Sequence, residues 1–155
     1  MNAHESEVRA LLDNRVAACE AKDVDRLMSL YAPDIVYFDV VPPLRFAGAD
    51  EVRRNFLRWF DEIDGPLTLE TQELTVTASG DVAFAHLLHR TSGTRKDGTR
   101  GTVRVRSTVC CHRSNGAWTI THEHVSTPGI RLATGGQPTD EKGVAPVATR
   151  GPASA

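Results

Sequence analysis

The chain has 155 residues, 25% of them charged and 40% hydrophobic, with a formal net charge of -2. That length suits one domain whose core needs neither disulfides nor metals. The missing basic excess argues against a nucleic-acid binder, and no run is apolar enough to cross a membrane.

Taken in chain order, the opening residues MNAHESEVRALLDNR hold no apolar run, so no signal peptide is expected. Val8, Leu11, Leu12, Val16 and Cys19 recur at three- and four-residue steps. That spacing predicts a helix from Glu5 to about Ala21 with one buried face. Asp23 reads as the N-cap of a short second helix, whose stripe is Val24, Leu27, Met28 and Tyr31 and which ends at Pro33. Ile35–Val41 is rich in β-branched and aromatic residues and predicts a strand, stopped by Pro42 and Pro43. Phe46–Asp50 reads as a turn, with Asp50 capping a third helix from about Glu51 to Ile63. That helix would bury Val52, Phe56, Trp59, Phe60 and Ile63 before Gly65-Pro66 closes it.

Four strands follow, at about Thr68–Ala78, Val82–Thr94, Thr99–Arg113 and Ala117–Ser126. Asp97-Gly98 and Asn115-Gly116 are strong hairpin signals, and the turn between the second and third of these strands reads as Arg95–Gly98. Helices followed by such a meander give an α+β fold. Beyond Pro128 the glycines and prolines multiply and periodicity vanishes. The expected organisation is a domain over 1–131 and a flexible tail over 132–155.

Alternate side chains on a strand face opposite ways. Val103, Val105, Ser107, Val109 and Cys111 share the core face of their strand, and Arg104, Arg106, Thr108, Cys110 and His112 share the other. Cys110 and Cys111 therefore point apart, and no disulfide between them is expected. With Cys19 they form an odd set of three without framework spacing, which points to a reducing, cytoplasmic setting. The strand Val82–Thr94 is partly apolar on both faces, and hydrophobicity does not settle Ala117–Ser126.

The stretch AKDVDRLMSLYAPDIVYFDVVPPLRFAGADEVRRNF resembles the opening of SnoaL-like proteins, the superfamily of ketosteroid isomerase and nuclear transport factor 2. NGAWTITHEHVSTP is similar to the last strand of that superfamily, and to the end of the association domain of calcium/calmodulin-dependent kinase II. The resemblance implies a cone-shaped α+β barrel, a pocket between the helices and the concave sheet face, and a homodimer through the convex face. It places Asp39 at the catalytic aspartate of ketosteroid isomerase. The isomerase's oxyanion-binding tyrosine falls on Arg15 and its buried aspartic acid near Val105. It turns Phe84, His86, Leu88, Glu123 and Val125 toward the pocket, and Leu88, Val109 and Val125 stand where the kinase module carries extra arginines.

These expectations give a candidate site with an apolar small-molecule ligand and no cofactor. Asp39, with Tyr37 two residues before it, is the candidate base, since a desolvated carboxylate suits proton transfer. The alternative is an aspartate that merely ends its strand. His86 would assist, or be a satisfied core histidine. Glu123 would be a second carboxylate, or pair with Arg15 or Arg90. Arg15 would bind an anionic ligand group or stand as a surface charge. Phe56, Trp59, Phe84, Leu88, Val105, Ser107, Val109 and Val125 would line the pocket. His122 and His124, at i and i+2, either pair across strands with Arg104, Arg106 and Thr108 on a polar outer face, or start a metal site with His89 and His112 on that same face. No metal is expected, because a site needs three or four convergent ligands. The resulting hypotheses are an acid/base enzyme for isomerisation, cyclisation or hydration and dehydration, a non-catalytic ligand binder, and an interaction module.

Overall fold

The computed structural model describes residues 1–129, so the tail expected from Leu132 lies outside the described residues. Helix α1 (Ala3–Glu20) starts earlier than its apolar pattern because Asn2 and Glu5 form a capping box. The Glu5 N–H donates to the Asn2 side chain at 2.8 Å, and the Asn2 N–H donates to the Glu5 carboxylate at 3.0 Å. Two donors that a helix start leaves orphaned are thereby satisfied. Asp23 caps α2 (Val24–Met28) by accepting from the Arg26 N–H at 3.0 Å.

The chain then enters β1 (Tyr31–Phe38), so Tyr31 opens a strand and does not continue the helical stripe. Tyr31 pairs with Ile120, and the next pair along is Val36 with His122. Pro33 falls in that irregular stretch, where the ladder asks no N–H of it. Strand β2 (Phe46–Ala47) pairs with β1 where a turn was expected. Helix α3 (Ala49–Glu62) starts after Gly48, whose φ of +88° suits glycine, and Asp50 sits in the first turn and not at the cap. Strands β3 (Ile63–Ser79), β4 (Val82–Arg95), β5 (Arg100–Ser114) and β6 (Ala117–Ser126) complete the fold. β3 begins before Thr68 because Gly93 leaves room: a Cβ there would lie 2.9 Å from Ile63 Cγ2.

The six strands run β2-β1-β6-β5-β4-β3, antiparallel at every pair except the parallel β1–β6. Helix α1 packs on β3 and β6, and α3 packs on β1, β2 and β3. Between them lies a core that includes Val8, Leu12, Leu27, Ile35, Val52 and Ile120. This is the expected α+β cone, with helices on the inner face of a curved sheet.

Two bulges decide which side chains reach that inner face. On β3 the pair Gln72–Leu88 is followed by Thr75–His86, and Glu73 takes a φ of +53°. On β6 the pair Cys111–Ile120 is followed by Cys110–His122, so Thr121 is the extra residue, its hydroxyl donating to the Cys110 carbonyl at 3.2 Å. One extra residue reverses strand parity. Trp118 and Ile120 face the core before the bulge, and Glu123 and Val125 face it afterwards. A single alternation could not describe this strand.

Candidate functional site

The floor of the cone is a closed polar network in an apolar shell. Arg15, from the middle of α1, is 5% exposed and Glu123, on β6, is 0% exposed. The Arg15 Nη2 donates to the Glu123 carboxylate, and its Nε donates to the Tyr31 hydroxyl at 2.9 Å. Tyr31 donates in turn to Glu123 Oε2 at 2.7 Å, and the Ser107 hydroxyl to Oε1 at 3.3 Å. The third guanidinium nitrogen, Nη1, lies 3.3 Å from His89 Nε2. Every guanidinium nitrogen thus has a partner, and the pairing of Glu123 with Arg15, one of its two sequence alternatives, is the one formed.

Burial fixes the protonation states. It pushes the His89 pKa down to about 3, with the neighbouring Arg15 guanidinium adding to the effect, so the imidazole is neutral. Burial opposes the Arg15 charge, but the Glu123 carboxylate outweighs it and holds the guanidinium above its ordinary pKa. The Tyr31 and Tyr37 phenols are held well above 10, again chiefly by burial, so both keep their protons.

Above this floor, Tyr37 is 4% exposed and stacks edge-on against Phe56 at 5.6 Å. No group among the described residues hydrogen-bonds its hydroxyl. Tyr37 stands two residues before Asp39 along the chain, so the two side chains leave the strand on the same side. At the rim, Asp39 follows β1 and is half-buried. Its Oδ2 accepts from Asn55 Nδ2 at 2.7 Å, and its Oδ1 from the Val40 N–H at 2.7 Å. Asn55, 4% exposed on α3, is itself held through its Oδ1 by Arg58 Nε at 3.2 Å and Nη2 at 3.0 Å.

The inner face thus gathers Arg15, Tyr37, Phe56, Ser107, Val109, Glu123 and Val125, with Trp59 and Val105 half-buried beside them. Phe84, His86 and Leu88 are not part of it. Phe84 is 51% exposed and His86 is exposed, both on the outer face with Leu88. Ala85 pairs with Val109 and Leu87 with Ser107, and paired residues share a face, so β4 sends Ala83, Ala85, Leu87 and His89 inward. His89, expected outside, therefore takes the inner place expected of His86. His89, Tyr31 and Asn55 are the site residues that the sequence reading did not single out.

The outer face has its own character. A cavity of about 460 Å³ opens there, lined in part by Thr77, Val82, Phe84, Cys110, His112 and Thr121, and neither Asp39 nor Glu123 lines it. His122 and His124 pack edge-on against Phe38, at 4.8 and 5.4 Å, and His122 Nδ1 donates to the Val36 carbonyl at 2.7 Å. Among the described residues no three His, Cys, Asp or Glu side chains converge as metal ligands. No helix among them is long and apolar enough to cross a membrane.

A family model described as a SnoaL-like domain matches residues 8–130. Among solved structures, a nuclear transport factor 2-like protein of unknown function from Pseudomonas putida is 34% identical, with a TM-score of 0.76 over 84% of this chain and 90% of its own. A ketosteroid isomerase-like protein from Erwinia carotovora atroseptica is 20% identical, with a TM-score of 0.70 over 81% and 96%. A nuclear transport factor 2 superfamily protein from Salmonella enterica is 17% identical, with a TM-score of 0.73 over 86% and 96%. The last two likenesses concern the fold alone. No curated protein matches the chain.

Proposed function

Because the chain belongs to the SnoaL-like domain family, we propose that it is an acid/base enzyme acting on an apolar, oxygenated small molecule held in the cone. The reaction class is isomerisation, cyclisation, or hydration and dehydration, and the proton transfer needs no cofactor. The observation that carries this reading is the pair at the end of β1: a half-buried Asp39 carboxylate oriented by Asn55, and a buried Tyr37 whose hydroxyl has no partner among the described residues. Asp39 takes a proton from the carbon next to a carbonyl, using a lone pair that Asn55 and Val40 leave open. Tyr37, which keeps its proton, donates to the oxygen as negative charge develops there. Glu123 serves as a positioning residue, not as a second acid or base, since Arg15, Tyr31 and Ser107 occupy its oxygens.

Solvent-deuterium exchange tests this without knowledge of the natural substrate. The protein should speed exchange at the α-carbon of at least one member of a panel of cyclic and aryl ketones. Asp39→Asn should slow that exchange by about 10²–10⁴-fold, the usual contribution of a positioned base. Its melting temperature should hardly move, because an asparagine oxygen can still accept from Asn55. Exchange that persists in the variant removes Asp39 as the base. No exchange with any ketone, together with a ligand retained from the cell, favours the non-catalytic binder.

The chain also pairs with a second copy through the outer sheet face. Val82 and Phe84 are 58% and 51% exposed around the outer cavity, an apolar surface of the kind that interfaces cover. Phe84→Glu should weaken the dimer by at least about 30-fold, as a central aromatic hot spot does. Light scattering on a dilution series reads this directly, and an unchanged dimer mass would move the interface elsewhere. The three cysteines are free thiols, which accords with a cytoplasmic location. The domain boundary near residue 131 remains part of this reading.

A further inference from the structure

A buried arginine at the floor of a pocket ordinarily receives a ligand carboxylate, because the guanidinium fork matches two oxygens. Here that place is filled from within the chain. Glu123 takes Nη2, Tyr31 takes Nε, and His89 faces Nη1. Arg15 and Glu123 are the two charged side chains among the buried polar residues described, and the others are Asn55, His89 and Ser107. The buried floor therefore carries no net charge, and the one charge of the proposed site above it is the half-buried Asp39 carboxylate, which also disfavours anions. An anionic ligand entering it would lose its water and meet a guanidinium already neutralised.

We propose that Glu123 is a specificity-determining residue: an internal carboxylate that fills the anion slot of Arg15 and so restricts the cone to uncharged ligands. This rests on the cone being the ligand site. The substrate class becomes narrower than apolar and oxygenated. Its polar group is a neutral carbonyl or hydroxyl reaching Tyr37 and Asp39, and free acids are excluded. An enzyme producing the substrate would then have to deliver an ester, ketone or alcohol, not a carboxylate. Removing the Glu123 charge should reverse the preference, because Arg15 would regain an unmatched positive charge in a desolvated place.

Two probes of one shape separate the outcomes: 2-naphthol, uncharged at pH 7, and 2-naphthoate. Their binding to the full chain and to Glu123→Gln is measured by titration calorimetry, with circular dichroism confirming that the variant is folded. The wild-type protein should bind 2-naphthol at least tenfold more tightly than 2-naphthoate. Glu123→Gln, which keeps the shape and drops the charge, should gain at least tenfold for 2-naphthoate and little for 2-naphthol. Equal or tighter binding of 2-naphthoate by the wild type overturns the charge argument while leaving the cone as the ligand site. Failure of both probes to bind the wild type overturns the cone reading and this inference with it. A folded Glu123→Gln without the gain also overturns the assignment to Glu123. If the variant does not fold, the wild-type ratio decides alone.

Discussion

Glu123→Leu is expected to destabilise the fold by about 3–5 kcal/mol, the usual cost of removing one partner from a buried ion pair. The carboxylate is fully buried and accepts from Arg15, Tyr31 and Ser107. Deleting it leaves the Arg15 charge without its counter-ion. It also leaves the Tyr31 proton without an acceptor, a further desolvation loss for a buried donor. The double variant Arg15→Met with Glu123→Leu should recover most of this loss, since an apolar pair of similar volume can match or exceed a buried ion pair. Denaturant unfolding of the four members of the cycle gives the coupling energy. Simple additivity of the two single losses would show that the pair is not the unit argued above. A near-neutral double variant would also mean that the network is kept for what it does to the pocket and not for net stability, which is the role assigned to Glu123.

Much of this site was legible in the sequence, and what was missed has particular causes. The core face of β5 follows from alternation alone, since valines and arginines separate cleanly. The face of β4 depends on one residue of loop length. A four-residue turn over Arg95–Gly98 would pair Val109 with Phe84 and turn Phe84, His86 and Leu88 inward. The actual loop is three residues: the Arg95 N–H donates to the Thr99 carbonyl at 2.9 Å, and Gly98 takes a φ of +86°. That geometry is the common three-residue hairpin with a left-handed glycine. It pairs Val109 with Ala85 and brings His89 inward.

The face of β6 depends on the Thr121 bulge, which no local pattern announces, and only the resemblance placed Glu123 and Val125 correctly. Asn55 carried a usable signal. It lies three residues after Val52 and beside Phe56, on the buried stripe of α3, where a polar residue invites the question of what it binds. Asp39 accepts its amide.

His89 makes the stability of the fold depend on acid. Its pKa lies at about 3 in the folded protein, first because of burial and then because of Arg15. An unfolded histidine titrates near ~6.5, so between these values the unfolded chain holds a proton that the folded chain refuses. Stability from this group is therefore fully present above about pH 6.5 and is lost as pH falls toward about 3. The loss between pH 6.5 and 4.5 should be about 2–3 kcal/mol, at ~1.4 kcal/mol for each unit of pH. The groups around the ring are Arg15 on α1, Thr71 and the Glu70 backbone on β3. None offers the anion that an imidazolium would need, because Glu123 already serves Arg15. His89→Gln should keep an acceptor for Arg15 while removing the titration. Its unfolding free energy should start somewhat below that of the wild type at neutral pH and decline much less steeply over the same interval. Parallel slopes for the two proteins would assign the acid sensitivity to other groups and deny that the ring is held neutral against the guanidinium.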